Sequence, residues 1–126
     1  MRAVDTNVLV RLITRDEEAQ LADALSYVAP GAWVSHLVLA EAIWVLSYTY
    51  RVPHSQLVGA IEVILEHDQL VVQEPDVARA ALKLFCKQSR LGFSDCLVLE
   101  IARKAGHLPL GTFDRSLSKQ EGAERV

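Results

Sequence analysis

Helical apolar periods alternating with short β-branched runs predict an α/β domain with a mainly parallel sheet of four or five strands in a three-layer α/β/α arrangement. Two observations carry this: LVVQ between two helical stretches and HLPLGT after another. With 126 residues, 51% apolar and 23% charged, the chain has the composition of one ordinary folded domain spanning 1–126.

Taken in order, Ala3 to Asp5 reads as a short strand and Thr6 onward as an apolar helix. Asp16 and the segment DEEAQLADALSYV open a second, amphipathic helix, and Pro30 and Gly31 turn the chain into a strand over 32–34. Ser35 is a suitable N-cap for a third helix running to about Tyr50, and Pro53 stands at the start of a fourth. After LVVQ, Pro75 and Asp76 open an Ala-rich fifth helix, and the loop over 90–93 contains Gly92. Ser94 is the expected cap of a sixth helix that Gly106 ends. HLPLGT is the next strand, DRSLSKQ a short helix and GAERV a final edge strand.

Glu41 is the only formally charged side chain between Asp23 and Arg51, inside WVSHLVLAEAIWVLSYTY. An ionised carboxylate in a buried helix needs a cation, a metal or a chemical task. Its helical neighbours Leu37, Val38, Trp44 and Val45 offer no charge, so a partner has to come from elsewhere. Three other acids, Asp5, Asp95 and Asp114, stand where strand-end geometry could bring them to the same cleft, because ligands of open α/β sheets sit at the carboxyl ends of the strands. Individually, each has a plain structural use: Asp5 and Asp114 can cap helices and Asp95 can complement a helix N-terminus. Together they would repel one another by about 4 kcal/mol per pair at ~4 Å and an effective dielectric near 20. A bound cation relieves that repulsion, and oxygen-only donors suit Mg²⁺, with Mn²⁺ as a substitute. Such an ion can activate water against a phosphodiester.

Other chemistries find less support. Cys86 and Cys96 lack the paired spacing of structural zinc and read as small core residues. The four histidines, at 36, 54, 67 and 107, form no ligand motif and read as surface or packing residues. The formal charge of −3, from 13 bases and 16 acids, argues at face value against a nucleic-acid partner. Neutralising the four acids by bound cations leaves twelve against thirteen bases, so the balance is neutral on a polyanionic substrate. No apolar run reaches membrane-spanning length and the first strand begins near Met1, so the expectation is a cytoplasmic protein without a leader.

The order of these motifs resembles the PIN-domain ribonucleases, and the short chain is similar to the VapC toxins of type II toxin-antitoxin pairs. The resemblance rests on Asp5, Thr6 and Asn7 after the first strand, Glu41 in LAEAIWVL, Asp95 in FSDCLVLEIA, and Thr112 with Asp114 in TFDRSL, and it covers essentially the whole chain. It implies a metal-dependent endoribonuclease in which Asp5 and Asp95 hold the principal Mg²⁺ and Glu41 and Asp114 ligate directly or through water. Thr6, Asn7 and Thr112 would support the carboxylates or the attacking water. It also implies an RNA substrate, a small antitoxin protein and a homodimer; the alternative is a non-catalytic PIN-like module that binds RNA or protein. Arg11, Arg15, Arg51, Lys87, Arg90, Arg115 and Lys119 are the basic candidates for RNA contact, and Arg90 and Arg115 are nearest in sequence to the acids. Trp33, Trp44, Tyr48 and Tyr50 read singly as core, with some available for an interface. A haloacid-dehalogenase-type phosphatase would need an acid where Asn7 stands, and a two-component receiver would need an Asp ending the strand that Glu74 and Pro75 follow.

Overall fold

In the computed structural model, which describes residues 1–126, β1 (Arg2–Ala3) leads through Asp5 into α1 (Thr6–Thr14), and α2 (Glu18–Val28) returns the chain to β2 (Ala32–Val34). Next come α3 (His36–Tyr48), α4 (His54–Glu66) and β3 (Leu70–Val72). Five further elements follow: α5 (Pro75–Lys87), α6 (Phe93–Ala105), β4 (Leu110–Thr112), α7 (Arg115–Ser118) and β5 (Ala123–Arg125). The residues gather into two units, Met1–Pro75 and Asp76–Val126.

In the first unit β1, β2 and β3 pair in that order, all parallel, with Ala3 opposite Trp33 and Trp33 opposite Val71. Parallel neighbours cannot be joined by a tight turn, and each crossover here is a helix pair, α1–α2 or α3–α4. Ala32, Val34 and Val72 are buried while Trp33 and Val71 face out, the alternation that the pleat imposes. Against this sheet α1 packs on α3 and α4 on β3, and Leu9, Leu39, Leu46, Ile61 and Ile64 are fully buried. Burying each such side chain contributes about 1.5–3 kcal/mol, which outweighs the short strands' few hydrogen bonds as the source of order.

In the second unit β4 and β5 also pair in parallel, with Gly111 opposite Glu124. The buried side of α5 carries Val77, Ala78, Ala81 and Phe85, and Phe85 meets Phe93 edge to face at 5.6 Å between ring centres. Arg103 latches the end of this unit. Its guanidinium donates to the Glu121 carbonyl at 2.7 Å and to Glu100 at 3.1 Å, and lies so close to Gly122 that a Cβ there would approach it to 3.1 Å. Gly122 has φ +89°, so a side chain at this position would be strained as well as crowded. Lys104 pairs with Asp76 at 2.8 Å, joining the end of α6 to the start of α5.

Most element boundaries agree with the expectation, and the α/β class with parallel strands holds. The cap of α6 is different: the helix starts at Phe93 with Gly92 as N-cap and no side-chain cap bond, placing Ser94 inside the first turn. Burial of Phe93 explains this, because starting the helix two residues earlier puts its ring in the core beside Phe85. Cys96 is buried as expected, but Cys86 is exposed on the outer side of α5. No helix is long and apolar enough to cross a membrane.

Candidate active site

Asp5 follows β1 at the carboxyl edge of the three-stranded sheet and caps α1, its Oδ1 accepting from the Val8 N–H at 3.2 Å. The cap satisfies one of the first-turn amides that have no partner within the helix and leaves Oδ2 without a part in it. The next residue, Thr6, donates its hydroxyl to Glu41 Oε2 at 2.9 Å across 35 residues of sequence. This bond ties the start of α1 to the middle of α3 and brings Glu41 to the residue beside Asp5. Asn7 is exposed on the same first turn.

Glu41 itself is exposed, contrary to the buried position its surroundings suggest. Helix α3 is apolar all round, and only one side of it, with Leu39, Ala42, Ile43 and Leu46, is covered. The opposite stripe leaves Leu37 69%, Trp44 57% and Tyr48 68% exposed, and Glu41 belongs to it. Trp44 and Tyr48 stack on each other at 4.7 Å. Neither is a core residue, nor is Trp33, whereas Tyr50 is half-buried and accepts from Arg11 through its hydroxyl at 3.0 Å. Solvent therefore carries much of the desolvation burden that the sequence assigned to a cation at Glu41.

His36, expected to be a surface or packing residue, is a packing one. It is buried at the first position of α3, its backbone N–H donates to Gln73 Oε1 at 2.9 Å, and its ring Nε2 has no hydrogen-bond partner. The only sequence signal is its place directly after β2 and the capping Ser35.

In the second unit Asp114 follows β4 and caps α7, accepting from the Leu117 N–H at 2.7 Å, and its own N–H donates to Thr112 Oγ1 at 3.0 Å. Thr112, expected to bond a carboxylate or the attacking water, here accepts from the Asp114 backbone N–H and so orients the acid's backbone. Asp95 lies half-buried in the first turn of α6, with its Oδ2 facing Gly92, where a Cβ would stand 3.7 Å away. Its neighbour Cys96 is buried, and that burial, with the charges of Asp95 and Glu100, pushes the thiol up to about 12. The thiol stays protonated at neutral pH. Arg90 and Arg115 are both exposed.

No group of three or more His, Cys, Asp or Glu side chains lies close enough to hold a metal ion unaided. The donors available at the sequence-predicted positions are carboxylate oxygens. That chemistry fits Mg²⁺, which dehydrates reluctantly and is usually held by one or two carboxylates plus water and substrate phosphate.

The chain matches the PIN domain family over residues 2–122. It is similar to a VapC ribonuclease from Aquifex aeolicus (strain VF5), 27% identical over 124 residues that make up 94% of this chain and 91% of the relative. No solved structure matches it. A parallel α/β chain with a capping acid after its first strand, an acid on α3 and a Thr-x-Asp turn after β4, matched over nearly all its length, belongs to the PIN domain family.

Proposed function

We propose that residues 1–126 act as one PIN domain that cleaves RNA phosphodiester bonds with Mg²⁺ or Mn²⁺, in the cytoplasm, as the toxin of a toxin-antitoxin pair. The observation that carries this reading is the Thr6–Glu41 hydrogen bond beside Asp5, in a chain whose family includes nucleases and which is similar to a protein named VapC ribonuclease. Asp5 and Asp95 would hold the ion, and Glu41 and Asp114 would ligate it directly or through water. When bound, the ion supplies an activated water and a counter-charge for the phosphoryl oxygens.

The chain's own residues do the positioning. Capping holds the Asp5 and Asp114 carboxylates in one rotamer before any ligand arrives, so little side-chain entropy remains to be lost on binding. Thr6 holds Glu41 through its hydroxyl, and Thr112 orients the backbone at Asp114. Asn7 would support the carboxylates or the attacking water.

The exposed stripe of Leu37, Trp44 and Tyr48 is the face proposed for pairing of two copies, since exposed aromatic side chains of this kind are enriched in interface cores. A small antitoxin protein would silence the site, with an arginine meeting the carboxylates.

The test is cleavage of an end-labelled RNA pool by antitoxin-free protein with Mg²⁺ or with EDTA, beside Asp95→Asn. Discrete metal-dependent cuts absent from the variant are expected, together with a larger Mg²⁺-induced rise in melting temperature for the wild type than for Asp95→Asn. A folded wild type that binds Mg²⁺ but cuts nothing would favour a non-catalytic PIN-like binding module.

A further inference from the structure

Residues 77–94 contain four cations, Arg79, Lys83, Lys87 and Arg90, and no acid, whereas the rest of the chain carries nine bases against sixteen acids. All four are exposed. Arg79, Lys83 and Lys87 recur every four residues along α5, so each stands about 6 Å further along the axis and about 40° further round it. They form one ridge on the side opposite Val77, Ala78, Ala81 and Phe85.

A solvated helix face would place acids among these cations, because like charges four residues apart repel. Lys87 sits in the last turn, where it complements the helix dipole, but that effect fades within a turn and gives Lys83 no such reason. The ridge also leads somewhere. Its C-terminal end is held to the start of α6 by the Phe85–Phe93 contact, and α6 carries Asp95 in its first turn.

We propose that this face of α5, centred on Lys83 and Lys87 and continued by Arg90, is a phosphate-binding ridge that leads the RNA backbone toward the turn bearing Asp95. The identity of the polyanion rests on the nuclease reading above. A row of cations on a helix contacts phosphates without reading bases, so the ridge sets affinity and register and is indifferent to sequence.

The experiment measures the salt dependence of binding to a short single-stranded RNA of mixed sequence, using Asp95→Asn protein with and without Lys83→Gln and Lys87→Gln. KM for RNA cleavage is measured with the same pair of changes in the active enzyme. Each lost phosphate contact on single strands lowers the slope of log K against log salt by about 0.7, so the double change is expected to reduce it by about 1.4 and to raise KM. Lys83→Arg with Lys87→Arg is expected to keep the wild-type slope. An unaltered slope in the double Gln variant, with Asp95→Asn protein binding RNA and the wild type cutting it, overturns the ridge and leaves the nuclease reading standing. A ridge-dependent slope without any cutting supports the ridge and removes the nuclease reading. No RNA binding by Asp95→Asn protein together with no cutting by the wild type removes both.

Discussion

Asp5 has two roles that a pair of substitutions separates. As N-cap of α1 it accepts from Val8 N at 3.2 Å, and as a proposed ligand it supplies negative charge. Replacing it with Ala removes both, and loss of an N-cap acceptor costs about 1 kcal/mol. For a chain of 126 residues, an unfolding entropy of ~2.1 cal/mol/K per residue gives roughly 0.26 kcal/mol/K, so Asp5→Ala should melt about 4 °C lower. Asn ranks with Asp as an N-cap, so Asp5→Asn should melt within about 2 °C of wild type. Both variants should lose at least about a hundredfold in cleavage, about 2.7 kcal/mol of transition-state stabilisation. Calorimetry gives the first quantity and single-turnover cleavage of labelled RNA the second. Cleavage that survives in Asp5→Asn and falls in Asp5→Ala only as far as its stability falls would confine Asp5 to capping and refute its place at the metal.

Thr6→Val removes the hydroxyl that holds Glu41, and cleavage should fall about tenfold, about 1.4 kcal/mol, while circular dichroism shows the helices unchanged. Asp76 is held below the ordinary aspartate value of 3.8, first by its hydrogen bond from Lys104. A depressed folded-state value stabilises above the unfolded value and is lost as pH falls through the folded one, so acid unfolding below 3.8 should be shallower for Asp76→Asn than for wild type. Equal acid profiles would deny the pair any part in acid stability. Trp44→Asp with Tyr48→Asp should shift a dimer to monomer in analytical ultracentrifugation, and an unchanged sedimentation coefficient would place the interface elsewhere.

What could be read in advance follows from the range of the forces involved. Capping is local, so Asp5, Ser35, Asp114 and Gly106 announced their helix ends correctly from side-chain type alone. Ser94 misled because long-range packing decided the start of α6: Phe93 entered the core and Gly92 took the cap. Glu41 was identified through an assumption that failed. Apolar neighbours suggested burial, yet Leu37, Trp44 and Tyr48 are exposed with it, since a pattern that is hydrophobic all round does not say which side is covered. Arg90 stood out by its nearness to Asp95 in sequence, whereas Lys83 emerged only when α5 fixed its angular position beside Lys87. His36 carried no sequence signal of a buried nitrogen without a partner, because that depends on what surrounds the ring.

The Arg103 latch makes a distant stretch of chain answerable for Asp114. The only strand hydrogen-bonded to β4 is β5, and Arg103 pins the turn at Glu121 and Gly122 through which the chain enters it. Trimming by a protease, or a bulky fusion that pries residues 123–125 away, would release the strand that presents Thr112 and Asp114 while β1, β2 and β3 kept their own pairing. Such a molecule would keep the Thr6–Glu41 bond beside Asp5 and lose the order around Asp114, so the integrity of residues 123–125 belongs among the first properties to verify in any test of the proposed cleavage.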